Sequence, residues 1–315
     1  MDPLSDVLRA VRLNAAYFYL VEAGAPWSVY AAAARELVPR VLPDAEHLIS
    51  YHILLTGGCW GGLDGEQVHM EPGDVIVFPH GDAHIMSSAD GHRDGSGKDG
   101  TSAKRYPDTV LLGPSAVRNT TLVCGFLGCD LRPYNPLLSS LPKRIHVSGI
   151  AGGWLSQFPR QVVAESRDGR LGSETMLTRM AELMFVEVVR RYVERLPPQQ
   201  TGWLAGLVDP LVGLAIQKMH ERPGHAWTLA ELSTEVAASR TVLVNRFSRL
   251  VGVPPMLYLT RWRLQLAAEH LTRGSAKVAA IGAQVGYESE AAFSRAFKRE
   301  TGVSPATWRR ARQPA

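Results

Sequence analysis

The feature that most restricts how this chain can fold is a duplication near its end. Sliding the C-terminal segment against itself by 50 residues sets Ser239 on Ser289, Leu243 on Phe293, Phe247 on Phe297, Gly252 on Gly302, Val253 on Val303 and Pro255 on Pro305. Ahead of the two serines the spacing falls to 49, with Leu232 on Ile281 and Val236 on Val285, so one copy carries a single extra residue in its turn. Self-similarity of this kind marks one supersecondary unit used twice. Each copy reads as helix, short turn, helix: LAELSTEV, AAS and RTVLVNRFSRLVG in the first, VAAIGAQV, GYES and EAAFSRAFKRETG in the second. Ser239 and Ser289 stand where a hydroxyl can accept from an unpaired N–H at a helix start. Gly252 and Gly302 stand where a helix can end in left-handed backbone.

Within each second helix, Leu243, Phe247 and Leu250, or Phe293 and Phe297, form an apolar stripe that leaves the opposite face for a partner. That face carries Arg240, Thr241, Val244 and Asn245 in the first copy, and Glu290, Ala291, Ser294 and Arg295 in the second. Arginine can donate twice to guanine, asparagine can pair with the edge of adenine, and alanine, valine or threonine can meet the thymine methyl. Around them Ser239, Arg246, Arg249, Arg261, Arg263, Ser289, Lys298 and Arg299 are suited to phosphates, which position a protein without reading sequence. From Ala215 onward the chain has 15 Lys plus Arg against 7 Glu and no Asp, while the remainder is mildly acidic. A basic segment behind an acidic one points to a polyanionic partner at this end.

A length of 315 residues exceeds what one core usually organises, so two domains are expected. Apolar residues at 45% and charged residues at 20% are ordinary for a globular chain, and no run approaches the roughly 20 apolar residues that span a bilayer. The opening MDPLSDVLRAVRLN has Leu4, Val7, Leu8 and Val11 at helical spacing and lacks the pattern of a secretion signal. Three cysteines, Cys59, Cys124 and Cys129, form no CxxC pair and fit a reducing compartment, which places the protein in the cytoplasm.

From Ala15 to Cys129 short apolar runs alternate with turn residues: AAYFYLVEA, HLISYHILL, QVHMEPGDVIVFP and TTLVCGFLG, with GGLDG and EPGD as turns. This half is expected to be all-β. Residues 89–108, almost free of apolar side chains, are expected to form a mobile loop. Residues 173–196 place Met176, Leu177, Met180, Leu183, Met184, Val188 and Tyr192 on one broad helical face, to be covered either by the chain's own β half or by a second copy. LPPQQTG then breaks the helix as a hinge.

The segment from Trp227 to Arg310 resembles the DNA-binding domain of the AraC family of transcription regulators over its whole length. That resemblance implies two helix-turn-helix units joined by a long helix, here about Pro255 to Thr272, with recognition helices entering successive major grooves about 34 Å apart. It implies double-stranded operator DNA and RNA polymerase as partners, a homodimer, the role of an activator or a repressor, and no catalytic residues. The first unit departs from the family's usual text at Ala237, where a turn glycine is common, and at Asn245, where arginine often reads a base. Ser233 and Gly282 replace a packing alanine. The second unit keeps VGYES and Arg295, so it is expected to be the more typical binder.

Gly73, Pro79, Gly81 and His84 follow the spacing G(X)5PxG(X)2H, which resembles one of the two motifs of cupin barrels. The resemblance implies a small barrel able to hold a ligand. Cupins often bind a metal through two histidines and a carboxylate, but Leu54 stands where a second histidine would fall, so neither metal nor cofactor is expected. His52, His80, His84 and Cys124 are the candidate ligand or sensor residues, Cys124 being either a buried small hydrophobe or a thiol that meets an oxidant. The expected fold is α+β in two domains: a cupin-like β-barrel over 1–150, linker and dimerisation helices over 151–206, and an all-α DNA-binding domain over 207–315. The expected function is sequence-specific transcription regulation in response to a small molecule or redox signal. An enzyme using the barrel, or a DNA binder with no sensor, would leave one half without a role.

Overall fold

Duplication in the text is duplication in the backbone. In the computed structural model, which describes residues 2–312 apart from Arg12, Asn14, Asp44, 92–107, Arg132, 149–157 and Gly169, two compact units form. The residues expected as a mobile loop lie mostly outside the described ones. One unit gathers Leu13–Asp130 and Leu141–Arg195; the other gathers Met1–Arg12, Leu131–Ser140 and Leu196–Ala315.

The first unit holds ten strands among the described residues: β1 (Ala15–Ala23), β2 (Ser28–Ala31), β3 (His47–Thr56), β4 (Cys59–Leu63), β5 (Glu66–Met70), β6 (Val75–Phe78), β7 (His84–Ser87), β8 (Asp108–Leu112), β9 (Thr120–Cys129) and β10 (Ile145–Val147). They make two sheets and not one closed barrel, a six-stranded one ordered β10-β6-β3-β9-β1-β8 and a four-stranded one ordered β2-β7-β4-β5. The runs read as strands in the sequence became β1, β3, β5 with β6, and β9; the short β2, β7 and β10 carry too few residues to show a period. Asp64-Gly65 forms the two-residue link between β4 and β5, with Gly65 at φ +78, a positive φ at the second central position that favours glycine. Val21, Trp27, Leu54, Met70, Phe78, Met86 and Leu122 pack with Cys59 and Cys124 in the principal core of this β-rich unit.

Helix α2 (Ala34–Val41) covers Leu48 and Phe126 at another edge of this unit. Helices α4 (Phe158–Asp168) and α5 (Ser173–Glu194) also belong to it. Of the face expected on α5, Leu177, Met184 and Val188 are buried, together with Ala181, Phe185 and Val189, against α4, β1 and β10. Met176 and Leu183 instead remain more than half exposed, so the buried stripe is rotated from the expected one toward Phe185.

The second unit is helical: α1 (Pro3–Ala10), α3 (Pro136–Ser140), α6 (Trp203–Val208), α7 (Pro210–Glu221), α8 (Leu229–Glu235), α9 (Arg240–Val251), α10 (Pro255–Arg273), α11 (Val278–Gln284), α12 (Glu290–Thr301) and α13 (Pro305–Arg312). Helices α8, α9 and the start of α10 match α11, α12 and the start of α13 at the spacings read from the sequence. Ser239 accepts from Val242 N–H and Ser289 from Ala292 N–H, each at 3.2 Å. Gly252 and Gly302 close the same helices at φ +83 and +81. The first residues of the chain dock here: Gln265 of α10 donates to the Ala10 carbonyl at 2.8 Å, and its side-chain oxygen accepts from Tyr134 N–H at 3.0 Å.

Both helix-turn-helix turns need one left-handed residue. It is Gly286 at φ +88 in the second unit and Ala237 at φ +52 in the first. The offset between these two is 49, so the extra residue of the second turn follows them and is Glu288. For Ala237 the Cβ clash of that backbone costs roughly 1–2 kcal/mol, partly offset because glycine has more unfolded-chain freedom to lose. Ala237→Gly is therefore expected to stabilise the unit by about 0.5–1 kcal/mol. Gly286→Ala should destabilise it, since its Cβ would lie 2.7 Å from the Gly224 carbonyl oxygen and 2.9 Å from Arg263 Nη2. Denaturant midpoints of the two variants should move in opposite directions with unchanged slope.

Candidate nucleic-acid interface and ligand cavity

Two aromatic anchors set the rotation of the recognition helices. Phe247 is fully buried with its ring edge-on to Tyr258 of α10 at 5.6 Å, and Phe297 is fully buried between Phe293 and Trp308 at 5.6 and 5.5 Å. With one face so fixed, the opposite face is turned outward. Arg240, Thr241, Asn245, Glu290, Ala291 and Arg295 are exposed, and Val244 and Ser294 are half-buried. The first unit is held on α10 by a buried chain in which Trp203 Nε1–H donates to Tyr258 Oη at 2.9 Å and Tyr258 Oη lies 2.7 Å from His220 Nε2. His220 stacks on Trp262 with ring centroids 4.0 Å apart, and its Nδ1 lies 3.4 Å from Asp6 of α1.

The cations expected at phosphates divide into two sets. Arg249, Lys298 and Arg299 are exposed and make no ion pair among the described residues. Arg246, Arg261 and Arg263 are engaged within the unit. Arg246 pairs with Asp209 at 2.6 Å, a carboxylate that also caps α7 by accepting from Leu211 and Val212 N–H. Despite the opposing effect of burial, these hydrogen bonds and the Arg246 charge hold Asp209 below the usual carboxylate range. Arg261 joins α10 to α12 through Glu300 at 3.3 Å. Arg263 donates from Nε to the Pro223 carbonyl and from Nη2 to the His225 carbonyl, both at 2.6 Å. Half-buried and doubly bonded, Arg263 fastens the loop after α7.

The cupin-like motif does one structural job that can be seen directly. Gly81 at φ +64 turns the chain between β6 and β7, and a Cβ there would meet Ala34 Cβ at 2.2 Å. The turn delivers His84 to the head of β7, where its ring stacks on Phe78 at 3.8 Å. Strand register then brings His52 of β3 opposite Cys124 of β9. Cys124 Sγ lies 2.9 Å from His52 Nδ1, His52 Nε2 lies 2.7 Å from His84 Nε2, and His84 Nδ1 lies 2.9 Å from the Asp82 carbonyl oxygen. His80 does not join them; it is exposed, with Nε2 bonded to the Leu141 carbonyl.

The far end of that row fixes every proton in it. A carbonyl only accepts, so His84 Nδ1 donates; neutral His84 then accepts at Nε2, His52 donates from Nε2 and accepts at Nδ1, and the Cys124 thiol donates. Neutrality is enforced by burial, which drives His84 down to about 4, lowers His52 well below its ordinary value with help from His84, and raises the Cys124 thiol well above its own. Metal ligation is a different geometry. Two imidazole nitrogens about 2.1 Å from one ion stand roughly 3.0 Å apart or more, beyond the 2.7 Å seen here. Among the described residues no three His, Cys, Asp or Glu side chains converge as a metal site. The residues present do not fit a cupin's resident metal.

His52 and Cys124 border a cavity of about 540 Å³, its open mouth included, whose other walls are largely apolar and include Tyr19, Trp27, Tyr30, Met86 and Leu122. Tyr30 is 57% exposed and Cys124 only 3%, so the cavity runs from the surface at β2 to the thiol inside. Trp27, buried at the same wall, has an indole N–H with no acceptor among the described residues. Tyr19, Trp27 and Tyr30 were not legible as site residues, because aromatic side chains on strands read first as core.

A cupin family model matches residues 2–194, and a helix-turn-helix domain model matches residues 232–311. Over 318 residues the chain is 31% identical to a Streptomyces antibioticus protein described as an AraC-like transcription regulator, with all of both chains covered. The chain belongs to the AraC-like transcription regulators. It is also 27% identical to the HTH-type transcriptional regulator AlkR of Acinetobacter baylyi, with 98% of this chain and 99% of that one covered. Among solved structures, the DNA-binding domain of AdpA in complex with a target DNA is 27% identical over 33% of this chain and 92% of its own, with a TM-score of 0.31. This AraC-like chain is a DNA-binding regulator, and among the described residues no helix is long and apolar enough to cross a membrane.

The neutral relay makes the β-rich unit sensitive to acid. Histidines near 6.5 in the unfolded chain take up protons there before His84 does in the fold, at about 4. The unfolded state thus binds more protons between these values, and stability must fall as pH drops from 6.5 to 4. Denaturation followed at several pH values should show that loss. His84→Gln should flatten the slope; an unchanged slope would contradict the neutral assignment.

Proposed function

We propose that the protein recognises operator DNA with α9 and α12 in successive major grooves, and that a small molecule entering the cupin-like unit modulates this. The observation that carries the reading is the pair of recognition faces, capped alike, anchored alike and left exposed at matching positions. In α12, Arg295 is the side chain suited to a guanine edge, with Ala291 and Ser294 beside it. In α9, Asn245 and Arg240 offer a different set, which suits an asymmetric pair of half-sites. Arg249, Lys298 and Arg299 contact phosphates, and the helix starts at Ser239 and Ser289 present N–H groups to the same backbone. The sensing role rests on a cavity lined by a hydrogen-bonded thiol and histidine, a purely structural core having no use for such a space. An oxidant is the second reading of the same thiol, and its elevated titration range disfavours it because oxidants attack the thiolate. The protein acts in the cytoplasm as a homodimer that brings RNA polymerase to the promoter, with Met176 and Leu183 of α5 available to a second copy.

Anisotropy titrations with DNA flanking the protein's own coding region, at several salt concentrations, test this. Arg295→Ala should lose about 1–3 kcal/mol on the operator and little on unrelated DNA. Arg299→Ala should reduce the salt slope by about 0.9. Arg263→Ala should instead lower stability by about 1–3 kcal/mol and leave the slope unchanged, because its fork holds carbonyls. Undiminished operator affinity in Arg295→Ala would overturn the assignment.

A further inference from the structure

The row Cys124, His52, His84 and Asp82 is longer than a buried thiol requires. A cysteine filling a core needs no base, yet Sγ of Cys124 lies 2.9 Å from the accepting Nδ1 of His52, and His52 is itself oriented by His84. A nucleophile, a base in hydrogen-bond reach and a third group holding the base is the arrangement of an activated nucleophile. Tyr19 adds a hydrogen bond to the sulfur that favours the thiolate as charge develops. The Asp82 carboxylate lies close enough to His84 to favour its charged form, and one of its oxygens is buried without a hydrogen-bond partner among the described residues. The thiol sits at the inner part of an apolar cavity that opens at Tyr30, so only a small uncharged molecule can approach it.

We propose that Cys124 captures small apolar electrophiles covalently, in particular α,β-unsaturated carbonyl compounds that enter the cavity. The sulfur forms a bond to the β-carbon as the C=C π pair moves onto the carbonyl to give an enolate. The thiol proton passes to His52 Nδ1 in the same step and is then delivered to the α-carbon. The net change is addition of S–H across the double bond, with no oxidant or reductant consumed. His52 is the base; His84 is a positioning residue that holds it in the required tautomer. Trp27 lines the same cavity and contributes apolar ring surface to the wall against which the electrophile would lie. Since the proton leaves as the bond forms, no standing thiolate is needed.

This inference rests on the sensing role of the cavity, and one experiment separates the two. The full chain is treated with 2-cyclohexen-1-one, then followed by intact mass and peptide mapping, with iodoacetate as a charged electrophile of similar size. A single adduct on Cys124, formed faster than on Cys59 or Cys129 and faster than by iodoacetate, is expected. His52→Gln, with folding checked by its thermal transition, should react roughly a hundredfold more slowly, as loss of a general base predicts. His52→Gln reacting at the wild-type rate, or adducts spread evenly over the three cysteines, would overturn the capture proposal. Should His52→Gln not fold, Cys124→Ser serves in its place: loss of the adduct supports capture, and an undiminished adduct overturns it. DNA affinity measured on the adduct tests the sensing role alone, because capture without any change in affinity would refute signalling while leaving the chemistry standing.

Discussion

Everything outward on the DNA-binding unit depends on what is driven inward at two matching positions. Phe247 and Phe297 are each fully buried, and burying such a ring is worth about 1.5–3 kcal/mol before any contact with DNA is made. A helix pinned by an aromatic at one point of its circumference has its remaining side chains assigned by the 3.6-residue period. Residues three and two places ahead of each phenylalanine, Val244 with Asn245 and Ser294 with Arg295, therefore face away from the core. The outward set is thus a by-product of core packing: these residues can vary freely so long as the anchors do not. The two copies show this, sharing their caps, stops and anchors while agreeing at none of the four outward positions.

The helical unit was largely legible because its determinants are local. A cap, a left-handed stop and an apolar stripe each occupy a few consecutive residues, and duplication let each be checked against its copy. The β half was legible only as strands. What the linear text could not hold was register: His52 and Cys124 are 72 residues apart and become neighbours through the pairing of β3 with β9. His84 could be picked out from the motif spacing, but its partner could not. Internal pairing was not legible either. Six basic residues were placed at phosphates by their position around the outward faces, and Arg246, Arg261 and Arg263 also have partners inside the unit, because a guanidinium bonds a nearby carbonyl or carboxylate. Nothing in the opening residues announced that α1 belongs with the helices at the other end of the chain.

That last arrangement has a physical consequence for the order of assembly. The helical unit draws on three separate stretches of chain, and its buried polar row runs from Asp6 through His220 and Tyr258 to Trp203. Contacts between residues so distant in sequence form only after the intervening chain has closed a loop. The pieces around α12 are local by comparison, with Phe293, Phe297, Ile281 and Trp308 all lying within one short stretch. The second helix-turn-helix is accordingly the part able to organise early, and the first is the part whose final packing waits for α1.

In the β-rich unit, the same low dielectric that suppresses charge gives the relay its use. A thiol in water sheds its proton to solvent and reacts with whatever arrives. The buried Cys124 has an acceptor for that proton, His52, and borders an apolar cavity through which a molecule can come near it. Raising the titration range of an isolated cysteine would make it inert. Raising it beside an imidazole that accepts the proton only as charge develops makes it selective, since the reaction proceeds for a bound partner positioned to receive the sulfur and is otherwise disfavoured by desolvation. Selectivity of this kind needs no charged recognition group in the wall, which is consistent with a lining of aromatic and aliphatic side chains around a single polar row.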